Sequence, residues 1–354
     1  MMECNEAEES GKTVICTDAA TGGNHVGENA GAEGKIGRAD DDMWENRERC
    51  FYSSPRNFFL LVLLVYFCWA MGVPLTKLGY TAYAIGEGDI PQMLTYAGIR
   101  LFFAGLLALG FCRYRGVRLL PASGKEAGQI LKLGLIMSVL QYIFLYIGTA
   151  LSPGVVASIL SSSGAFLGML FSSLVFKEDR MTVRKGLGCA LGVVAVIILN
   201  VNDLGTGMQV SLIGGLLVIA SQGAGTLGGV YLKYISPGKN AIWLGAAQTL
   251  TGGGILIFIG LLGGGSLHAA DLVQALAPTV AVIFTSCLAL ILSNQLYKYN
   301  NISKVVVVSL LLPIFGTVLS ALMLGESLAS ATLLVSLLIN CAGVALVTME
   351  RSVG

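Results

Sequence analysis

Charge is scarce in this chain: Asp, Glu, Lys and Arg make up 12% of its 354 residues, about half the share of a soluble domain. The deficit is uneven. Acidic residues gather in the first 50 positions and in short gaps between long apolar runs. Histidine is nearly missing; His25 stands in the polar N-terminal stretch and His268 in a gap between runs. None of the apolar runs holds an Asp or Glu in its interior. An embedded acid, base or metal set is therefore absent, which excludes a membrane enzyme and a resident metal or cofactor. Cysteine is present but unpatterned. Cys4, Cys16 and Cys50 lie in the N-terminal stretch and the other five in apolar runs, with no metal-ligand spacing and no disulfide framework. The net charge of +1 offers no basis for nucleic-acid binding.

What fills the chain is apolar: 55% hydrophobic residues, a mean hydropathy of +0.75 and 46 glycines. Crossing a bilayer as a helix takes about 20 apolar residues, and glycine is common where spans pack closely. Ten runs reach that length, near 57–79, 91–112, 128–149, 153–175, 183–201, 210–232, 240–262, 273–296, 302–324 and 329–349. Residues 1–56 are polar, without apolar periodicity, and read as a disordered tail. The connections between runs are short, so neighbouring spans run antiparallel.

Lysine and arginine orient the chain. One set of loops holds Arg113, Arg115, Arg118, Lys125 and Lys132, then Lys177, Arg180, Arg184 and Lys185, then Lys233 and Lys239, then Lys298 and Lys304. The alternate set holds Glu87, Asp89, Asp203, His268, Asp271 and Glu326, with Lys77 at a helix end. The expectation is a multi-pass protein of the plasma (inner) membrane with both termini in the cytosol.

The second half of the chain repeats the first at an offset near 148 to 156. Gly72 and Lys77 fall on Gly228 and Lys233, and Arg100 and Gly105 fall on Gln248 and Gly253. Ser161, Gly168 and Phe176-Lys177-Glu178 fall on Ser309, Gly316 and Leu324-Gly325-Glu326. Five spans per copy is an odd number, so the copies insert with opposite topology. The expected architecture is an all-α membrane protein of ten transmembrane helices, arranged as two inverted five-helix repeats at 57–201 and 210–349. That is the layout of alternating-access transporters.

These features resemble the EamA domain of the drug/metabolite transporter superfamily. The likeness rests on Ser-Leu-Val-Phe-Lys-Glu-Asp-Arg-Met (173–181), Ala-Leu-Met-Leu-Gly-Glu-Ser-Leu (321–328), the set Trp69, Gly72, Pro74 and Lys77, and the Arg100 and Phe102 pair. It departs at the fourth span, where Ala165 stands in place of the usual proline, while Pro313 is present in the ninth. The resemblance implies two EamA-like repeats and a transporter of small solutes.

Arg100 is the one ionisable side chain well inside a span, and an arginine at a helix centre costs about 2.5–3.5 kcal/mol on insertion scales. It either holds a carboxylate-bearing solute or satisfies carbonyls at a broken helix or the interface. Tyr96 shares its face one turn away. Trp69, Gln141, Tyr142, Tyr146, Gln222, Gln248 and Asn294 complete the candidate lining, since a buried amide or phenol needs a partner. Each has a packing role as its alternative, and the serines of the fourth span read as packing. Lys77 reads as snorkelling to the interface. The fifth span, with Gly188-x-x-x-Gly192, and the tenth carry few polar residues. They are placed peripherally, where they offer a surface for a homodimer.

The function expected is transport of a small organic metabolite, an amino acid or related neutral or anionic solute, by facilitated diffusion or exchange. The competing readings are a proton-coupled drug efflux pump and a non-transporting membrane receptor or scaffold.

Overall fold

A computed structural model describes residues 2–4, 16–18, 46–86, 88–151, 163–176, 182–199, 212–269 and 271–324, with single positions at 335, 338, 339, 342, 343 and 346. Most of the N-terminal tail, Ser158 to Ser162, the Lys177 to Arg180 loop, Asp203, the Glu326 motif and most of the tenth expected span lie outside the described residues. The chain divides into two units, Met1–Leu61 with Arg351–Gly354, and Val62–Glu350. In the first, β1 (Met2–Cys4) pairs antiparallel with β2 (Cys16–Asp18), and 46–53 are helical.

The second unit is built of helices. α1 spans Pro55–Ala82, the greater part of it in this unit, and α2 spans Ile90–Tyr114. α3 (Gly124–Gly134) runs through a π-helical turn, Leu135–Leu140, into α4 (Gln141–Ala150). α5 is Ser163–Val175, α6 Val183–Leu199, α7 Leu212–Ile235, α8 Ala241–Leu262 and α9 Leu272–Tyr299. α10 (Ile302–Val307) continues through a 3-10 turn, Val308–Leu311, into α11 (Leu312–Leu324). The helices start where their side chains can hold orphan backbone N–H groups. Asp89, Ser123, Asn240 and Asp271 accept from the first turns of α2, α3, α8 and α9.

Among the described residues six helices are long and apolar enough to cross a membrane: 55–82, 90–114, 124–148, 213–235, 241–262 and 272–299. They match six of the ten expected runs. α6 is described over Val183–Leu199, within the expected 183–201 run. The expected 302–324 run is interrupted by its 3-10 turn. Pro313 supplies no N–H to the carbonyl of Ser309, which breaks the helical ladder there.

The closest packing joins α2 and α8, and glycine is the reason. A Cβ at Gly98 would lie 2.9 Å from the carbonyl oxygen of Gly253, and one at Gly105 would lie 2.9 Å from that of Ala246. Likewise a Cβ at Gly105 would crowd the backbone nitrogen of Leu250, and one at Gly253 that of Phe102. Backbones this close exclude any larger residue. The contacts run antiparallel and are reciprocal: at an offset of 148, Gly98, Phe102 and Gly105 correspond to Ala246, Leu250 and Gly253. The repeat read in the sequence is thus a local two-fold in space, with its axis between these two helices.

A second small-residue contact lies within the chain. A Cβ at Gly343 would come 2.7 Å from the carbonyl oxygen of Gly188. The Gly188 side of α6 is therefore covered by the chain's own tenth run at this level.

Candidate binding site

Arg100 sits mid-way along α2, 8% exposed, and three helices meet at its guanidinium. Nη1 donates to the Thr76 hydroxyl of α1 at 3.2 Å, and Nη2 to the Tyr142 hydroxyl of α4 at 2.7 Å. Cζ also lies 5.4 Å from the centroid of the Tyr142 ring, a cation–π distance. Thr76 is itself held, donating to the carbonyl of Gly72 at 2.5 Å in the turn that contains Pro74. Gly72 lies beside the guanidinium, with Nη1 3.9 Å from where its Cβ would stand.

Tyrosines complete the surroundings. Tyr80, Tyr96, Tyr142 and Tyr146 lie within electrostatic reach of Arg100. Tyr80 packs edge-on against Tyr96 at 5.5 Å, Tyr83 lies 5.7 Å from Tyr96, and Tyr142 and Tyr146 are 6.0 Å apart. The Tyr96 hydroxyl lies 3.5 Å from that of Thr279 in α9, and occupies the space a Cβ at Gly79 would need.

The charge balance of this cluster is one-sided. A guanidinium has five N–H donors. Two bonds to neutral hydroxyls use part of that capacity, and Nε has no acceptor among the described residues. No carboxylate pairs with Arg100 among the described residues. Hydroxyls and ring faces offset burial of the cation in part, at about 0.5–2 kcal/mol for a cation–π contact, but leave its charge uncancelled. Chemically the cluster presents spare N–H donors of a guanidinium between aromatic walls.

Of the side chains singled out in the sequence, the structure brings Tyr96, Arg100, Tyr142 and Tyr146 together. The others are engaged elsewhere, and none is hydrogen-bonded to Arg100. Gln248 is buried at the crossing of α8 with the π turn, where it accepts from Ser138 at 3.0 Å and donates to Thr249 at 2.6 Å. Gln141 lies against Gly225 and Gln222 against Gly164. The Asn294 side chain presses on Gly245, with Nδ2 lacking an acceptor among the described residues. Trp69 is half-buried on the α1 face that also carries Gly72 and Thr76. Sequence reading missed Thr76, Tyr80, Tyr83 and Thr279. For the first two a signal existed, since Gly72, Thr76 and Tyr80 recur every four residues, one helical face.

The two repeats are chemically unequal at this level. The positions matching Tyr96, Arg100 and Tyr142 at the offset of 148 hold Leu244, Gln248 and Leu290. Leu244 belongs to an apolar cluster with Leu232 and Trp243, and Leu290 to another with Ala246 and Cys287. The arginine and its tyrosine acceptor therefore come from the first repeat, while the second contributes Thr279 against Tyr96.

A model of the family described as "EamA-like transporter family" matches residues 57–201 and again 212–349. The chain belongs to that family. Two relatives agree in length and kind. The chain is 28% identical to the "Uncharacterized transporter YvbV" of Bacillus subtilis (strain 168), over 83% of this chain and 92% of that protein. It is 26% identical to the "Probable amino-acid metabolite efflux pump" of Salmonella typhimurium, over 79% and 91% respectively. A solved crystal structure shares the fold, with a TM-score of 0.68 over 82% of this chain and 96% of that one at 16% identity. This EamA-family chain is thus a multi-pass membrane transporter protein whose two repeats each match the family.

Proposed function

We propose that the protein is an alternating-access transporter of a small carboxylate-bearing metabolite, an amino acid or related neutral, zwitterionic or anionic solute. The carboxylate is met by the free N–H edge of Arg100, and the solute moves by facilitated diffusion or exchange. Ten spans in two inverted repeats, both termini cytosolic, in the plasma (inner) membrane, complete the reading. The observation that carries it is a buried arginine, held by Thr76 and Tyr142, with donors to spare and no carboxylate partner among the described residues. A carboxylate entering this site gains charge-assisted hydrogen bonds about twice as strong as neutral ones. A lipophilic cation entering it meets like charge in a low-dielectric setting. The name of the Salmonella relative agrees in chemical class.

The test is flux in proteoliposomes over a panel of neutral, anionic and cationic solutes, with and without a pH gradient. Arg100→Ala should lower carboxylate transport roughly ten- to a hundredfold, the loss of a charged hydrogen bond of about 1.5–3 kcal/mol, with the protein still in the membrane. Uphill accumulation of a lipophilic cation, driven by the gradient and indifferent to Arg100, would falsify the proposal.

A further inference from the structure

Matching contacts tie the helices together at both membrane faces of the fold. Each helix of the central pair is pinned at its start to the loop that follows its partner. Trp243 Nε1 of α8 donates to the carbonyl of Leu119 at 2.9 Å, and Thr95 of α2 donates through its hydroxyl to the carbonyl of Gly265 at 3.2 Å. Thr95 and Trp243 are equivalent at the offset of 148, so these pins are the two copies of one device. One face carries something more. Lys239 Nζ, in the α7–α8 turn of the second repeat, reaches Gln129 Oε1 at 2.7 Å and Glu126 Oε1 at 3.5 Å, both on α3 of the first repeat.

Both partners are held in place by local structure. Lys239 closes a turn through its N–H to the carbonyl of Ser236 at 2.9 Å, with Pro237 second and Gly238 third at φ +68°. Pro then Gly at a positive φ is what a type II turn requires. Glu126 accepts from the Ala122 N–H at 2.5 Å through its second oxygen, while its own N–H donates to the Ser123 hydroxyl at 3.3 Å. This is a capping box shifted by one residue. The groups line a cleft of about 230 Å³ with Ala122, Ser123 and Lys125. Beneath it lies the apolar cluster of Cys112, Ile130, Leu133, Leu232, Ile235, Ile242, Trp243 and Leu244. On the opposite face the positions equivalent to Glu126 and Gln129 hold Gln274 and Ala277. Asp271 there accepts from the first turn of its own helix, Val273 and Gln274.

We infer that Glu126, Gln129 and Lys239 form a charged clasp between the repeats, whose release lets the α2–α3/α7–α8 face open during transport. The clasp biases the conformational equilibrium toward closure of that face. The inference rests on the alternating-access reading above. It is read out without any solute, so its failure leaves the carboxylate site untouched.

Cys112, 1% exposed beneath the clasp, is the reporter. In full-length protein that keeps Cys112 as its single cysteine, reconstituted in liposomes, labelling by a small maleimide measures how often this face opens. Glu126→Gln and Lys239→Gln should each raise the labelling rate roughly three- to tenfold, the scale of a partly exposed ion pair and its hydrogen bond. The exchange Glu126→Lys with Lys239→Glu should return it toward the parent rate. Where a Gln variant fails to accumulate, a second arm stands by itself. Glu126→Cys with Lys239→Cys, bridged by a short bis-maleimide, should lower labelling of Cys112 itself, read on its own peptide by mass spectrometry, below that of the same pair with each thiol capped singly. Single variants that label at the parent rate, or a bridged pair that labels as fast as the singly capped one, would overturn the clasp.

Discussion

Arg100 is costly to bury, and its neighbours explain how the chain tolerates it. Thr76 and Tyr142 each accept one N–H, and the Tyr142 ring offers its face to the same cation. Tyr142→Phe separates these contributions, because the ring stays and only the hydroxyl acceptor goes. With the guanidinium no longer held from α4, half-saturation for a carboxylate solute should rise about tenfold, the equivalent of about 1.4 kcal/mol, while the maximal rate changes little. Unchanged half-saturation in a concentration series of flux would detach Tyr142 from binding. Gln248 illustrates the opposite case. It occupies the position equivalent to Arg100, yet its amide is satisfied by Ser138 and Thr249 at a helix crossing, so it serves packing where Arg100 keeps donors in reserve.

At the scale of elements the α2–α8 seam governs where everything else can sit. The helices approach backbone to backbone at Gly98, Gly105 and Gly253, and the loops they pin follow. Gly105→Leu should drive side-chain atoms into the backbone of Leu250, where even a Cβ would be 2.5 Å from the nitrogen. Overpacking of this kind costs about 1–3 kcal/mol or more, read as a lowered melting temperature or lost monodisperse protein in detergent. Gly110→Ala, on the same helix with nothing within reach of the new Cβ, is the control. It should hold or raise stability by up to about 1 kcal/mol through helix propensity. Equal tolerance at both positions would show that the close approach is dispensable.

For the whole molecule, structure fixes which turns share a face, and charge supports a proposal for which face is cytosolic. The contacts of Lys239 with Glu126 and of Trp243 with Leu119 put the α2–α3 and α7–α8 turns on one face. The Thr95 to Gly265 bond ties the start of α2 to the loop after α8 on the other. We propose from the basic residues which face meets the cytosol: Arg113, Arg115, Arg118, Lys125 and Lys239 gather on the first, and Asp89, His268 and Asp271 on the second. A cysteine placed at His268 in intact cells should react with an impermeant reagent from outside, and one at Lys125 should react only after permeabilisation. The reverse pattern would invert the protein in its membrane.

The membrane class, six of the spans, the repeat and the oddity of Arg100 were all legible in the residues themselves, because hydropathy and internal similarity are properties of a line. Tyr80 and Tyr83 were cut off by ending the first span at 79, since tyrosine lowers hydropathy just where α1 runs on to Ala82. The 3-10 turn before Pro313 likewise escapes a count of apolar residues, because it depends on local backbone geometry. What only the tertiary structure decided is pairing. Which partner a polar side chain in a span meets depends on where helices cross, and those crossings are set by glycines whose contacts lie far along the chain, as with Gly98 and Gly253. Tertiary structure therefore joined Arg100 to Thr76 and Tyr142, engaged Gln248 with Ser138, laid Gly188 against Gly343 and set Lys239 on Glu126.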